Sequence, residues 1–248
     1  MALDDAAAAR RFPGPDFYEV LHWLHQALKP ETYVEIGVLT GRSLAAVQLQ
    51  TIAVGIDPAP CVGGWEPALA RLFRHTSTAF FAQHNLREVL GGKAVAFALI
   101  DGLHQFEQTL EDLCNLERYA CPNAIVALHD TIPLNRETSA RRRTTEFYTG
   151  DVWKIVPFLR RHRPELEMVT VTTAPTGLTL IRGLDPRCEQ ARLFAGAAEF
   201  AALEFDYFDR HHEEFLTLIP NHRAAVEAFC QNTPVQSIRS SGASILSR

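Results

Sequence analysis

No stretch of this 248-residue chain is apolar over the roughly 20 residues a helix needs to cross a bilayer, so no membrane partner is expected. The first residues, Met1 to Ala9, carry Asp4 and Asp5 and no basic segment, which does not read as a secretory signal. Cysteine is sparse. Cys61, Cys114, Cys121, Cys188 and Cys230 are odd in number, scattered, and form no C-x-x-C pair. That argues against a disulfide framework or a zinc knuckle and for a reducing, cytoplasmic setting. A surplus of positive charge is also missing: the net charge is -5 and basic residues are nearly all arginine. A mildly acidic chain is a poor nucleic-acid binder. Internal repeats are absent.

What is present is alternation of strands and helices. Phe17, Val20, Leu21, Leu24 and Leu28 recur at helical spacing, and Pro30 stops the run. Strands are expected at Tyr33–Gly37, at the buried apolar runs Ile52–Ile56, Ala94–Ile100 and Ala124–Leu128, and, more weakly patterned, at Leu69–Arg74. Between them, helices are expected over Arg42–Gln50 (with Leu44, Ala45 and Val47 inward), from an N-cap at Ser77 to Leu90, and along Phe106, Leu110, Leu113 and Leu116. The residues from Ala59 to Pro67 read as loop. Strands alternating with helices specify a parallel sheet covered on both faces. After a helix over Val152–Arg161, strands at Glu167–Thr173 and Leu178–Ile181 are joined by a tight turn, Ala174 to Gly177. A tight turn joins only antiparallel neighbours, so the sheet ends with one reversed strand. From Asp185 the alternation stops. Helices are expected over Ala191–Phe208 and Arg223–Phe229, followed by a polar, Ser-rich, flexible tail over 231–248.

Three constellations carry chemistry. In Glu35-Ile36-Gly37-Val38-Leu39-Thr40-Gly41-Arg42-Ser43, two glycines sit where a strand turns into a helix, letting a ligand approach the backbone at an electropositive terminus. Asp57 closes the next strand about 20 residues on, where nucleotide-binding α/β folds place a carboxylate on ribose hydroxyls. The bland alternative is a plain glycine turn and a capping aspartate. Glu35 stands where a dinucleotide motif has its first glycine; a carboxylate repels a pyrophosphate and suits a cationic ligand. In the second constellation, Asp101-Gly102-Leu103-His104 and His129-Asp130 close two neighbouring strands. Converging carboxylates repel unless protonated or bridged by a cation. The alternatives are loop capping for Asp130, a helix-start contact for His104 and a supporting role for His129. Thr76 and Ser77 either cap a helix or contact a cofactor, and Glu107 and Asp112 are expected on a solvated helix face. Third, the long connection over 132–150 carries Arg136 and Arg141 to Arg143, either a binding loop or a solvated charge cluster.

Glu35-x-Gly37-x-x-x-Gly41 with Asp57, and the reversed final strand, resemble the class I S-adenosylmethionine (SAM)-dependent methyltransferases over about Tyr18 to Leu184. The pairing of Ile100-Asp101-Gly102-x-His104 with His129-Asp130 is similar to small-molecule O-methyltransferases that include the magnesium-dependent macrolide-sugar enzymes. The resemblance implies a Rossmann-like α/β domain over residues 1–184 and a C-terminal helical extension over 185–230. It implies SAM held by Glu35, Gly37, Gly41, Ser43, Asp57, Ser77 and Asp101. Asp101, His129 and Asp130 match metal-binding positions for Mg²⁺, and His104 matches the general base that takes a proton from a small-molecule hydroxyl. His129 departs from the carboxylate that relatives can carry there, and imidazole favours transition metals. Two other classes stay open: a non-catalytic SAM-binding module and a nucleotide-dependent oxidoreductase. The extension, with Phe205, Tyr207 and Phe208, either pairs copies of the chain as a homo-oligomer, covers the acceptor, or is core.

Overall fold

The computed structural model describes residues 2–63 and 70–232; the expected flexible tail beyond 232 and part of the expected loop before 70 lie outside the described residues. Helix α1 (Ala2–Arg11) leads, then α2 (Phe17–Leu28), β1 (Thr32–Ile36), β2 (Ile52–Ile56), β3 (Ala70–Phe73), α3 (Ser77–Gln83) and α4 (Leu86–Val89). Next come β4 (Val95–Ile100), α5 (Phe106–Glu117), β5 (Ala120–His129), α6 (Ile155–His162), β6 (Glu167–Val171) and β7 (Leu178–Arg182). The extension adds α7 (Gln190–Ala201), α8 (Phe205–Phe215), β8 (Leu218–Ile219) and α9 (Arg223–Cys230).

The sheet runs β3-β2-β1-β4-β5-β7-β6-β8. Strands β1 to β5 pair in parallel, and β7 alone runs against both of its neighbours, β5 and β6. The continuous apolar character of the central strands follows from burial on both faces. Val34, Ile36, Ala98 and Ile100 face one core with Leu110, Leu113 and Phe158; Tyr33, Phe97 and Leu99 face the other with Leu21, Leu24 and Val226. Glycine loops and closing aspartates therefore gather at the carboxyl edge of β1, β2, β4 and β5, where ligands bind in such sheets.

Several local expectations are corrected. Arg42–Gln50 is no helix: only a 3-10 turn forms over Leu44–Ala46, Val47 is already extended, and Ala45 is exposed. Ser43 is drawn down to Glu35 and the Gln48 amide to the His25 carbonyl, so this short connection is spent on tertiary contacts. Thr76, not Ser77, caps α3 by accepting from the Ala79 N–H, and Asn85 breaks the expected long helix by capping α4 afresh. The expected helix over 191–208 splits at residues 202–204. Helix α1 and strand β8 were not foreseen. The former has acidic residues in its first turn and basic ones in its last, matching the helix dipole, and it seats Ala8 and Phe12 in the core. The latter has only two residues, too few for a periodic signal.

Candidate active site

The turn after β1 is built around Gly37. Its φ is +89°, and a Cβ there would lie 1.9 Å from the Asp101 carbonyl oxygen, so only glycine fits. The Gly41 N–H closes the turn on the Val38 carbonyl at 2.8 Å. Asp57 at the end of β2 holds the same turn: Oδ2 accepts from the Val38 and Leu39 N–H groups at 2.9 and 2.8 Å, and Oδ1 from Ala59 at 2.7 Å. A carboxylate has about four lone-pair sites, so acceptor capacity remains for a hydroxyl.

Glu35 is fully buried. Its carboxyl accepts from the Tyr33 hydroxyl at 2.7 Å, and Ser43 Oγ lies 2.5 Å away. Burial pushes it up to about 8 against the pull of those two partners. Glu35 and Ser43 thus face each other beneath the glycine turn. Ser77 is buried too, and its Oγ meets Gln108 Nε2 at 3.3 Å. Asp112, expected in solvent, is instead buried behind Gln108 (3.0 Å) and raised to about 6 by burial. Helix α5 turns that face inward because α3 packs across it.

At the ends of β4 and β5, Asp101, His104 and Asp130 converge: one ligand atom from each lies within 4.8 Å of the others. His104 and Asp130 both adopt left-handed backbone, at φ +58° and +62°, which is costly for such residues and aims their side chains at each other. His104 Nδ1 lies 2.7 Å from Asp130 Oδ2 and 3.1 Å from the Tyr148 carbonyl. Both are acceptors, so Nδ1 carries the proton, and Nε2, 3.7 Å from Asp101 Oδ1, is the nitrogen left for chemistry. Burial pulls His104 down, but Asp130 and then Asp101 outweigh it and raise it to about 9. Asp130 is held far below the usual carboxylate range: His129 and His104 overcome its burial.

His129 lies against the pair. Its Nδ1 is 3.1 Å from Asp101 Oδ1 and 3.3 Å from Asp130 Oδ1, its Nε2 is 3.3 Å from Thr176 Oγ1, and Phe17 stacks on its ring at 4.0 Å. With both nitrogens engaged, the geometry favours the supporting reading of His129 over the ligand reading. Burial lowers His129, yet the two aspartates raise it well above its ordinary value.

The 132–150 connection has no regular element, but it docks on the site. A Cβ on Gly150 would lie 1.8 Å from the His104 carbonyl oxygen, which accepts from the Asp151 N–H at 3.2 Å. Asp151, fully buried, caps α5 through the Phe106 N–H at 2.8 Å and pairs with Lys154 at 3.1 Å. Arg141 bonds Glu107 and Asp151, Arg136 pairs with Asp206, and Arg143 donates to the carbonyls of Thr145 and Glu146. These three arginines thus have protein partners. Asp151, Tyr148 and Thr176 escaped sequence reasoning because their partners lie 44 to 46 residues away.

Residues 34–131 match a family model described as a methyltransferase domain. No curated protein matches the chain. Among solved structures, the cofactor-bound protein Rv0187 from MTB has a TM-score of 0.51 at 13% identity, covering 74% of this chain and 89% of that one. The SAH-bound methyltransferase PaMTH1 of Podospora anserina has a TM-score of 0.50 at 13% identity, covering 74% and 87%. The O-methyltransferase TomG of Streptomyces achromogenes, involved in tomaymycin synthesis and solved with SAM, has a TM-score of 0.48 at 16% identity, covering 72% and 87%. The matched stretch runs from β1 past the end of β5, and the sheet order with its one reversed strand is a fold shared with the cofactor-bound Rv0187 and SAH-bound PaMTH1 structures.

Proposed function

We propose that this protein is a SAM-dependent O-methyltransferase that methylates a hydroxyl of a small molecule, a sugar or another natural-product type. The observation that carries this reading is the convergence of Asp101, His104 and Asp130 beside the glycine turn. Methyl transfer from a sulfonium needs the acceptor oxygen deprotonated and aligned with the methyl, with water kept out. In this reading the neutral His104 ring, whose share grows as pH rises toward its raised pKa of about 9, takes the hydroxyl proton on Nε2, while Asp130 holds Nδ1–H and fixes the ring's tautomer. SAM lies along Gly37 and Gly41, its ribose on Asp57, with Ser77 and Asp101 at its flanks; Glu35 and Ser43 support the turn from below.

The donor set fits a divalent cation: two carboxylates and an imidazole, with Asp101 the more open of the two carboxylates. Asp101 and Asp130 would hold Mg²⁺, which supplies a charge that acidifies a bound hydroxyl. A metal-free reading also has support, since the two histidines already face both carboxylates. Residues 1–184 form the donor-binding unit in this proposal. The 185–230 extension buttresses the loop beside the acceptor, through Asp206 on Arg136 and the Ala201 carbonyl on Lys154. None of the described helices is long and apolar enough to cross a membrane.

The test is calorimetric titration with SAM, then SAH release against a panel of diols and phenols with and without Mg²⁺. His104→Asn is expected to lower turnover by about 10²- to 10⁴-fold and leave SAM affinity nearly unchanged. Unchanged turnover removes His104 as base; no SAM binding removes the whole reading.

A further inference from the structure

Beside the reacting groups lies a buried hydroxyl that the mechanism does not use. Thr176 sits in the turn between β6 and β7, about 1% exposed. Its Oγ1 donates to Asp130 Oδ1 at 2.6 Å and lies 3.3 Å from His129 Nε2. A hydroxyl has one proton, and the shorter contact to the carboxylate claims it. Asp130 is therefore gripped from two sides: Thr176 on Oδ1, His104 on Oδ2.

The turn that carries Thr176 is itself pinned. The Thr176 carbonyl accepts from the Ile132 N–H at 2.7 Å, two residues past Asp130. The Gly177 N–H closes on the Thr173 carbonyl at 2.8 Å, and the Thr173 hydroxyl donates to the Pro15 carbonyl at 2.8 Å. The Ala174 carbonyl accepts from the Phe17 N–H at 2.9 Å, and Phe17 in turn stacks on His129. The hydroxyl is held as firmly as a group on a strand.

We propose that Thr176 is a positioning residue of the active site: its hydroxyl fixes the rotation of the Asp130 carboxylate so that Oδ2 orients His104. The idea rests on the reading of His104 as base. Without the hydroxyl, Asp130 Oδ1 keeps, among the described residues, the 3.3 Å contact to His129. The carboxylate is then free to rotate and the His104 ring loses its fixed partner.

The test compares Thr176→Val, which removes the hydroxyl at nearly constant volume, with Thr176→Ser, which keeps it. The first readout needs neither acceptor nor metal: the His104 Nδ1–H resonance of the full chain labelled with ¹⁵N-histidine. T176V is expected to shift or broaden that resonance and move its pH profile, and T176S to preserve both. The kinetic readout is kcat for SAH release on any acceptor the panel yields. It is expected to fall about 10- to 100-fold in T176V, with the KM for SAM unchanged and recovery in T176S. Should T176V fail to fold, T176A carries the same comparison with T176S. An unshifted His104 resonance in a folded T176V or T176A overturns the proposal. A shifted resonance in a protein that does not bind SAM leaves Thr176 as the anchor of Asp130 and discards the methyltransferase reading instead.

Discussion

Glu35 shows how one residue changes meaning between chain and fold. Read along the sequence, it is a carboxylate suited to a cationic ligand. In the fold it is fully buried between Tyr33 and Ser43 and pushed up to about 8. An acid whose folded pKa exceeds its unfolded value of 4.5 contributes stability that is complete below about pH 4.5 and lost as pH rises through about 8. Wild type should therefore lose on the order of 5 kcal/mol across that window, and Glu35→Gln should not. Urea unfolding at pH 5 and pH 9 reads the difference, and parallel curves for the two proteins would refute it. The paired glycines and the aspartates at strand ends were legible from the chain because each obeys a short-range rule. The burial of Asp112 was not, because it depends on α3 lying across α5.

Among the elements, the turn after β1 is where backbone and chemistry meet most closely. Gly37→Ala would drive a methyl into the Asp101 carbonyl and force the ends of β1 and β4 apart. SAM binding should disappear and stability fall by several kcal/mol, at the upper end of what single substitutions do. A G37A variant that binds SAM normally would show that the turn does not form the donor site. The strands were readable as bounded apolar runs, and the reversed β7 followed from its short turn. Helix ends were read less well. Asn85 restarts a helix, Ser43 is drawn onto Glu35, and Gln105 leaves α5 to be capped by Asp151 from 45 residues away.

Across the whole molecule, one buried ion pair ties the sheet domain to the extension. Glu117 at the end of α5 receives both terminal nitrogens of Arg163 at 2.9 and 2.8 Å, and its Oε1 also accepts from the Asp185 N–H at 2.9 Å. Arg163→Met would leave Glu117 buried without its partner, at a cost of about 3–5 kcal/mol. Denaturant unfolding followed by two probes, one in the extension, should show a single transition at a lower midpoint. A separate transition for residues 185–230 would mean that the extension folds on its own.

Composition and spacing were enough to specify a parallel α/β sheet, its one reversed strand, the glycine turn and the acidic strand ends. These follow from periodicity, turn chemistry and burial on two faces, which act within a few residues. Tertiary structure alone decided that Asp57 holds the glycine turn, that His129 is engaged on both nitrogens, that Asp151 caps α5, and that Thr176 reaches Asp130. Each of these is a hydrogen bond between segments far apart in the chain. Such a bond leaves no periodic trace in the sequence, because only packing brings its two ends within 3 Å.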